Sequence, residues 1–349
     1  MRPALWILVA TVTTFSIQIT HSATINLSKS ALCDIALRGS IEAGDVARLE
    51  EAHRKAAIAN QSTNRQRLCL HSPGGSYDEA LQLIKWLMEA GNVATVVDQG
   101  DECYSACALV FMFGNNNEGD GLTSPNRKIH FAAKLGFHTP HIKPAVDSKQ
   151  SDLSAKAYRS GVKAIGRLME IDWDDWFPKT LLIETLKKEP EEFLFVDTIG
   201  KAAAWNIDVI GLDIPRPVTQ AMLEQACLNS TRGSTNKWMA RWWGAGESVT
   251  GQREKITSST QPVPMQTKRH RAVFKGFGSE DSYVCVADIY DAGKRGLLLD
   301  VNFGESVKAS EIPKFQDVTS VTKNGLSGVG VPIWFLLNGK LQLSVAGRR

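Results

Sequence analysis

The stretch from residue 71 to residue 140 constrains the fold of this chain more than any other. It opens on a paired-glycine turn, Pro73-Gly74-Gly75, which follows an apolar run and precedes a helical pattern. It continues through a second apolar run to a block of small residues centred on Ser105. Strand and helix patterns that alternate at this spacing predict a parallel sheet with helical crossovers.

Local signals refine this prediction. Ser76 is a typical N-cap residue, and Glu79 three positions later completes the pattern of a capping box. Residues 106–113 are apolar and end at Gly114, which predicts a buried helix whose free N–H groups face Ser105. Hydrophobic periodicity predicts strands at 31–37, 66–71 and 93–97 and helices at 42–60, 151–170 and 179–188.

The residue types in this stretch are those required for acyl transfer by a serine. Such a nucleophile needs a base, and the oxyanion needs backbone N–H donors that side chains would crowd. Ser105 lies among small residues, a glycine pair precedes it, and histidines follow at His130 and His138. The sequence therefore makes Ser105 a candidate nucleophile.

Taken in order, Ser-Pro-Gly-Gly at residues 72–75, Ser105-Ala106, Arg127 and His138-Thr139-Pro140 resemble the motifs of the Clp protease proteolytic subunit family. The resemblance starts near residue 35 and covers about half of the chain. It implies an α/β fold of the ClpP/crotonase-like type, with a parallel β-sheet spiral core and flanking helices. The wider superfamily also contains acyl-CoA enzymes, so the motifs constrain the fold more than the chemistry.

The resemblance also implies a role for each site residue. Ser105 would be the nucleophile and His138 the base. The backbone N–H groups of Gly75 and Ala106 would form the oxyanion hole. The family places an aspartate just before a Phe-Leu pair, and here that position falls on Glu191.

Two of these assignments have alternatives. His130 matches the family's separation from the serine, whereas His138 matches the distance from Arg127 and the His-x-Pro context. A long polar surface loop at residues 115–124 explains this difference and favours His138. Asp197 is the other candidate for the carboxylate that would orient the base, and a site with no carboxylate would be a dyad or an inactive relative.

The N-terminus has the pattern of a secretory signal peptide. Met1-Arg2 is positive, residues 4–17 are uncharged and largely apolar, and Ser22-Ala23 offers small residues for cleavage. We therefore expect an exported protein, periplasmic or secreted, whose mature chain begins near Thr24. The apolar run is short and contains Thr and Ser, so no stable membrane span is predicted after cleavage.

Export changes the interpretation of the cysteines, since an even number in an oxidising compartment predicts disulfides. Cys227 and Cys285 are the only two beyond the first predicted domain, and we expect them to pair. Cys103 and Cys107 have a spacing that also occurs in zinc sites, but no second pair accompanies them, so no metal site is predicted. The sequence does not fix the pairing within the first domain among Cys33, Cys69, Cys103 and Cys107.

A chain of 349 residues suggests more than one domain. Its pattern divides into a signal peptide (1–23), an α/β domain (24–215), a linker (216–270) and a small β-rich domain (271–349). In the last part, Asn338-Gly339 predicts a type I′ hairpin turn between strands at 333–337 and 340–345.

The predicted function is that of an exported serine hydrolase and, through the resemblance, a peptidase acting on a peptide or protein. The alternative is a catalytically inactive ClpP-like scaffold that binds a partner. An acyl-CoA enzyme is disfavoured by export, and its chemistry does not need Ser105 and His138 together.

No cofactor is predicted, and a net charge of +3 is too small to indicate nucleic-acid binding. Since Clp subunits form rings, the resemblance also implies a homo-oligomer.

Overall fold

The computed structural model describes residues 22–60, 65–119, 122–139, 150–171, 176–189, 191–231, 269–277, 283–291, 296–305 and 330–347. Residues 1–21 of the predicted signal peptide and 232–268 of the predicted linker lie outside these ranges. Within them, no helix combines the length and the apolar character that crossing a bilayer requires.

The described strands are β1 (Thr24–Leu27), β2 (Ile35–Arg38), β3 (Gln66–His71), β4 (Val93–Val97), β5 (Glu102–Tyr104), β6 (Asn115–Gly119), β7 (Leu122–Pro125), β8 (Arg127–His130), β9 (Lys134–Phe137), β10 (Leu194–Phe195), β11 (Asp208–Ile210), β12 (Arg269–Phe277), β13 (Tyr283–Asp291), β14 (Leu297–Glu305) and β15 (Gly330–Val331). The described α-helices are α1 (Asp45–Asn60), α2 (Tyr77–Ala90), α3 (Ala106–Phe111), α4 (Gln150–Ile171), α5 (Lys179–Leu186), α6 (Ile199–Ala204), α7 (Gln220–Thr231) and α8 (Leu343–Ala346). A 3-10 helix spans Ile333–Leu336.

The main sheet has the strand order β1-β2-β3-β4-β8-β11. All of its neighbouring strands are parallel except β1, which pairs antiparallel with β2. Strand β4 is buried along its whole length, as expected of a strand that is covered on both faces. Helix α1 connects β2 to β3, and α2 connects β3 to β4. The predicted mixed α/β fold with a parallel sheet is therefore confirmed.

A second sheet, of order β10-β9-β5, carries the small-residue block. Strands β5 and β9 are parallel, and their register pairs Tyr104 with Gly136. Strand β3 ends at the same place, because Ser72 forms a bridge with Cys103 and accepts a hydrogen bond from the Tyr104 N–H at 3.0 Å. The carboxyl ends of β3, β5 and β9 therefore meet at one edge, and Ser105 is the residue that follows β5.

Helix α2 begins as predicted, but only half of the capping box forms. The Ser76 side chain accepts a hydrogen bond from the Glu79 N–H at 3.2 Å. The Glu79 carboxylate does not return to Ser76; it accepts from the N–H groups of Gly44 at 3.1 Å and Val46 at 2.9 Å. Since a carboxylate is stabilised at a helix N-terminus, Glu79 ties the start of α1 to α2.

The prediction of a surface loop at residues 115–124 is wrong. Most of this stretch forms the antiparallel hairpin β6–β7. Asn115 is buried, and its side chain donates to the Leu87 carbonyl at 2.8 Å and accepts from the Val93 N–H at 3.2 Å. These bonds attach the hairpin to the end of α2 and the start of β4.

The predicted C-terminal hairpin is also wrong, since the 3-10 helix and α8 take the place of its two strands. Tertiary contacts override the local Asn-Gly signal. The Asn229 side chain donates to the carbonyls of Phe335 at 2.9 Å and Leu337 at 2.8 Å. The Gly339 carbonyl accepts from the Gly200 N–H at 2.7 Å. These bonds hold the segment against α6 and α7.

Strands β12 to β15 form an antiparallel sheet against α7. The Cys227–Cys285 disulfide joins α7 to β13 and confirms the predicted pairing. Both cysteines and the apolar side chains around them, including Leu223 and Ile289, belong to the same buried cluster as the core of the main sheet. Helix α7 lies within the range predicted as a linker, and the domain boundaries at residues 215 and 270 stay a prediction.

Candidate active site

Ser105 occupies a sharp turn between β5 and α3. Its backbone has φ 57° and ψ −124°, a conformation that L residues rarely adopt. The Ser105 N–H donates to the Gly136 carbonyl at 3.0 Å, and the Ser105 carbonyl accepts from the Leu109 N–H at 3.2 Å. A strand, a strained serine and a helix in succession present the hydroxyl at the carboxyl end of the sheet, as in a nucleophile elbow.

His138 lies directly beside this hydroxyl. Its Nε2 is 2.7 Å from Ser105 Oγ, and its Nδ1 is 2.8 Å from the Thr139 carbonyl oxygen. A carbonyl oxygen only accepts, so the Nδ1 that bonds to it carries the proton. In that tautomer Nε2 carries no proton and accepts from the serine hydroxyl. This is the arrangement that a general base requires.

The paired glycines lie next to the candidate nucleophile. Gly75 has φ +141°, and a Cβ there would lie 2.2 Å from the Ile41 carbonyl oxygen, so only glycine fits. Within the described ranges, neither the Gly75 nor the Ala106 N–H donates to a protein acceptor. Both residues line one pocket with Ser105 and His138. Two backbone donors and the hydroxyl therefore share one cavity, as an oxyanion hole requires.

Neither predicted carboxylate lies at the histidine. Glu191 is exposed, and among the described residues no hydrogen bond or ion pair joins it to His138. Asp197 pairs with Lys201 at 2.7 Å. The Phe193 ring instead packs on the imidazole, with ring centroids 5.0 Å apart and planes at 78°.

Sequence reasoning missed Phe193 and the Thr139 carbonyl as neighbours of the imidazole. The antiparallel register of β10 pairs Leu194 with Phe137, which places Phe193 opposite His138. The sequence shows only a short apolar run at 193–196, and the partner strand and register of such a run are not local properties of the sequence.

His130, the alternative base, lies elsewhere. It ends β8 in the main sheet, and its ring packs on Phe131 with centroids 4.4 Å apart. Its Nδ1 accepts from the Ala132 N–H at 3.1 Å. Gly211 lies against the ring so closely that a Cβ there would be 2.4 Å from Nε2. Burial lowers the pKa of His130, which keeps it neutral in this packed position.

The pocket beside Ser105 has a volume of about 130 Å³. Burial raises the pKa of Tyr77, on one wall, to about 12, so its hydroxyl stays protonated at neutral pH. Most of the remaining wall is apolar and comes from α3, α4, α5, the segment before α5 and the end of β9: Leu109, Phe137, Leu168, Phe177, Leu182 and Leu186. The pocket therefore suits an apolar group attached to a carbonyl that Ser105 can reach.

A larger groove of about 570 Å³ contains none of the candidate site residues. It is lined by residues from β3, β4, β8 and β11, including Arg67 and Lys128, and Arg67 pairs with Asp34 at 3.2 Å. It lacks a nucleophile and base in contact, which leaves the smaller pocket as the candidate site.

The six cysteines form three disulfides. Besides Cys227–Cys285, they are Cys33–Cys69 and Cys103–Cys107. Cys103 and Cys107, whose spacing also occurs in zinc sites, are joined to each other by a disulfide. Three disulfides fit a protein from an oxidising compartment.

Replacing Gly74 by alanine is expected to lower hydrolysis by about 10²-fold, because a displacement of roughly 1 Å at a reacting group has that effect. Gly74 has φ +102°, and a Cβ there would lie 2.7 Å from Ser105 Cβ and 2.9 Å from the Tyr104 carbonyl oxygen. Gly100→Ala is the matched control, since its φ is +76° but nothing lies within 4 Å of its Cβ position. It should cost only about 1–2 kcal/mol of stability. Turnover by folded Gly74→Ala equal to that of Gly100→Ala would contradict this packing account.

No protein-family model and no curated protein matches the sequence. Among solved structures, the chain is similar to the catalytic domain of the ClpP protease from Plasmodium falciparum, at 16% identity and a TM-score of 0.32. The match covers 51% of this chain and 85% of that domain.

Proposed function

We propose that the chain is an exported serine hydrolase that cleaves peptide bonds with Ser105 as nucleophile and His138 as base. One observation carries the proposal: the 2.7 Å contact of His138 Nε2 with the hydroxyl of a serine held in a strained turn. A residue in a sparsely populated backbone region persists only where its surroundings fix it, and such residues cluster at functional sites.

In the proposed acylation, Ser105 Oγ attacks the carbonyl carbon while His138 Nε2 takes the hydroxyl proton. The carbonyl oxygen becomes an oxyanion held by the N–H groups of Gly75 and Ala106. When the tetrahedral intermediate collapses, His138 returns the proton to the leaving amine, and the acyl group stays on Ser105. A water molecule then attacks the ester with His138 again as base, which releases the acid and restores the hydroxyl.

The imidazolium that forms during each step has the Thr139 carbonyl dipole at Nδ1. An aspartate at that position is worth about 10⁴-fold in rate in a complete triad. The carbonyl can fix the tautomer but supplies only a partial charge. In the described part of the chain neither Glu191 nor Asp197 is bonded to His138, so we expect turnover by Ser105 and His138 without a direct contribution from these two carboxylates.

The pocket supports a substrate with one apolar side chain next to the scissile carbonyl. Its volume of about 130 Å³ is below the roughly 300–1,000 Å³ typical of sites that enclose a whole small molecule. It therefore suits part of a longer chain, such as a single residue of a peptide. An acyl-CoA would also require a site for its charged nucleotide, and among the described residues no lysine or arginine lines this pocket.

We further propose a cellular location, a fold and an oligomeric state for the chain. Export is supported by the N-terminal pattern and by three disulfides. The fold is taken to be the ClpP/crotonase-like spiral core over residues 24–215, with a small β-rich domain from 271 to 349. A homo-oligomer is supported by exposed apolar side chains on α4 and α5: Val162, Met169, Ile183 and Leu186.

Turnover of a peptide and ester library by the disulfide-intact chain tests this function. We expect hydrolysis at neutral pH, with a preference for Leu, Met or Phe over Asp, Lys or Gly on the acyl side of the cleaved bond. Ser105→Ala is the matched control and should be inactive. Hydrolysis that the Ser105→Ala variant retains would assign the activity elsewhere, and no hydrolysis by any form would favour the inactive scaffold.

A further inference from the structure

A disulfide encloses the candidate nucleophile. Cys103 lies in β5, Cys107 lies in the first turn of α3, and Ser105 is midway between them. The two Cα atoms are 5.3 Å apart, and both side chains are fully buried. The bond therefore ties the strand that leads into the turn to the helix that leaves it.

The turn needs such a constraint, because the backbone conformation of Ser105 is intrinsically unfavourable. One hydrogen bond fixes the peptide before Ser105, from its N–H to the Gly136 carbonyl. A second, from the Leu109 N–H to the Ser105 carbonyl, fixes the peptide after it. The disulfide fixes the distance across the whole turn, and with it the direction of the Ala106 N–H.

The length of the closed loop indicates what this bond contributes. The sequence separation is 4 residues for Cys103–Cys107, against 36 for Cys33–Cys69 and 58 for Cys227–Cys285. Restriction of the unfolded chain grows with loop length, so the shortest loop stabilises the whole fold least in that model. Its main effect is therefore local. Cys33–Cys69 packs with Val96 in a cluster separate from the main core, which makes it a matched control.

We infer that the Cys103–Cys107 disulfide is a positioning element that holds Ser105 and the Ala106 N–H in their reactive arrangement. This inference rests on the proposed function. Without the bond, the strand and helix are free to relax the strained serine towards an ordinary backbone conformation. Oγ then moves away from His138 Nε2, and the Ala106 N–H turns away from the oxyanion. Most of the apolar pocket is built by α4, α5, the segment before α5 and the end of β9, and this part keeps its shape.

The test compares Cys103→Ala/Cys107→Ala with Cys33→Ala/Cys69→Ala in the full exported chain. The first pair should lower kcat by about 10- to 100-fold while KM changes by less than about twofold, because chemistry is impaired and binding is not. The Cys33/Cys69 variant should keep kcat within about twofold. It should nevertheless unfold at a lower denaturant concentration than the Cys103/Cys107 variant, because the disulfide that it lacks closes a longer loop. Wild-type kcat in the Cys103/Cys107 variant would overturn the inference and leave the proposed function standing.

A second readout does not depend on activity. The imidazole Hε1 NMR resonance of His138, assigned by its loss in His138→Ala, reports the contact with Ser105. It should shift in the Cys103/Cys107 variant and stay in place in the Cys33/Cys69 variant. If the wild type has no activity, the proposed function is wrong, and this resonance still decides the positioning role: a shift supports it and an unchanged resonance rejects it.

Both measurements require that the Cys103→Ala/Cys107→Ala variant folds. If the alanine pair does not fold, Cys103→Val/Cys107→Ala replaces part of the lost sulfur volume in β5 and takes its place. If neither pair folds while the Cys33/Cys69 variant does, the bond stabilises the whole fold and the inference is wrong.

Discussion

Ser105→Ala and His138→Ala are each expected to reduce turnover by about 10³-fold or more, and the double variant should be little worse than either single one. The reason is the geometry of the pair. The hydroxyl and Nε2 are 2.7 Å apart, so removing either group removes the same proton transfer. Effects of groups that act as one unit are not additive. Turnover of a peptide or ester substrate at neutral pH, with folding checked by circular dichroism, measures the loss.

Two further variants separate this pair from its neighbours. Glu191→Gln should retain turnover within about twofold, because Nδ1 of His138 faces the Thr139 carbonyl and Glu191 is exposed. His130→Ala should likewise retain turnover, since that ring lies in the main sheet against Phe131. A loss in Glu191→Gln as large as that in His138→Ala would show that this carboxylate reaches the site during catalysis and would contradict the expectation that Glu191 has no direct role.

Arg127→Ala is expected to lower the free energy of unfolding by about 3 kcal/mol or more, because each buried carbonyl that loses its partner costs roughly 1–3 kcal/mol. Arg127 is buried, and its guanidinium donates to four backbone carbonyls. They belong to Met112 at 2.6 Å and to Trp176, Trp205 and Asn206 at 2.9 Å each. Two of these carbonyls end α3 and α6, where a positive charge is also favoured by the helix dipole. Removing the side chain leaves all four without this donor.

Urea unfolding without reductant measures this change. Arg67→Ala is the matched control, because it removes an arginine from β3 of the same sheet, where the ion pair with Asp34 is partly exposed. It should cost about 0–1 kcal/mol. Arg127→Lys should recover only part of the loss, since a single ammonium cannot replace a planar group with donors in several directions. An Arg127→Ala midpoint equal to that of Arg67→Ala would contradict the role assigned to this side chain.

Local patterns predicted the core elements well because each depends on residues close together in the chain. The apolar runs at 66–71 and 93–97 form β3 and β4 at the predicted bounds. Ser76 caps α2 because its side chain bonds a backbone group three residues away. The contact between Ser105 and His138 follows from the same alternation, since parallel strands bring their carboxyl ends to one edge.

Features that depend on distant parts of the chain were missed. The Asn338-Gly339 turn signal predicts a hairpin, but bonds from Asn229 and Gly200 hold that segment in a different form. Glu79 completes a local capping box by pattern, yet its carboxylate bonds α1 instead. Phe193 reaches His138 only through the register of β10 on β9. In each case the sequence shows which residue is present but not which distant residue it contacts.

Labelling of the disulfide-intact chain with a fluorophosphonate probe, followed by peptide mapping, tests the central claim most directly. The probe forms a covalent bond with a serine hydroxyl that a neighbouring base activates. We expect one adduct per chain, located on Ser105, absent from Ser105→Ala and formed much more slowly in His138→Ala. An adduct on another residue that persists in Ser105→Ala, or no adduct on a folded wild-type chain, would contradict the assignment of Ser105 as the nucleophile.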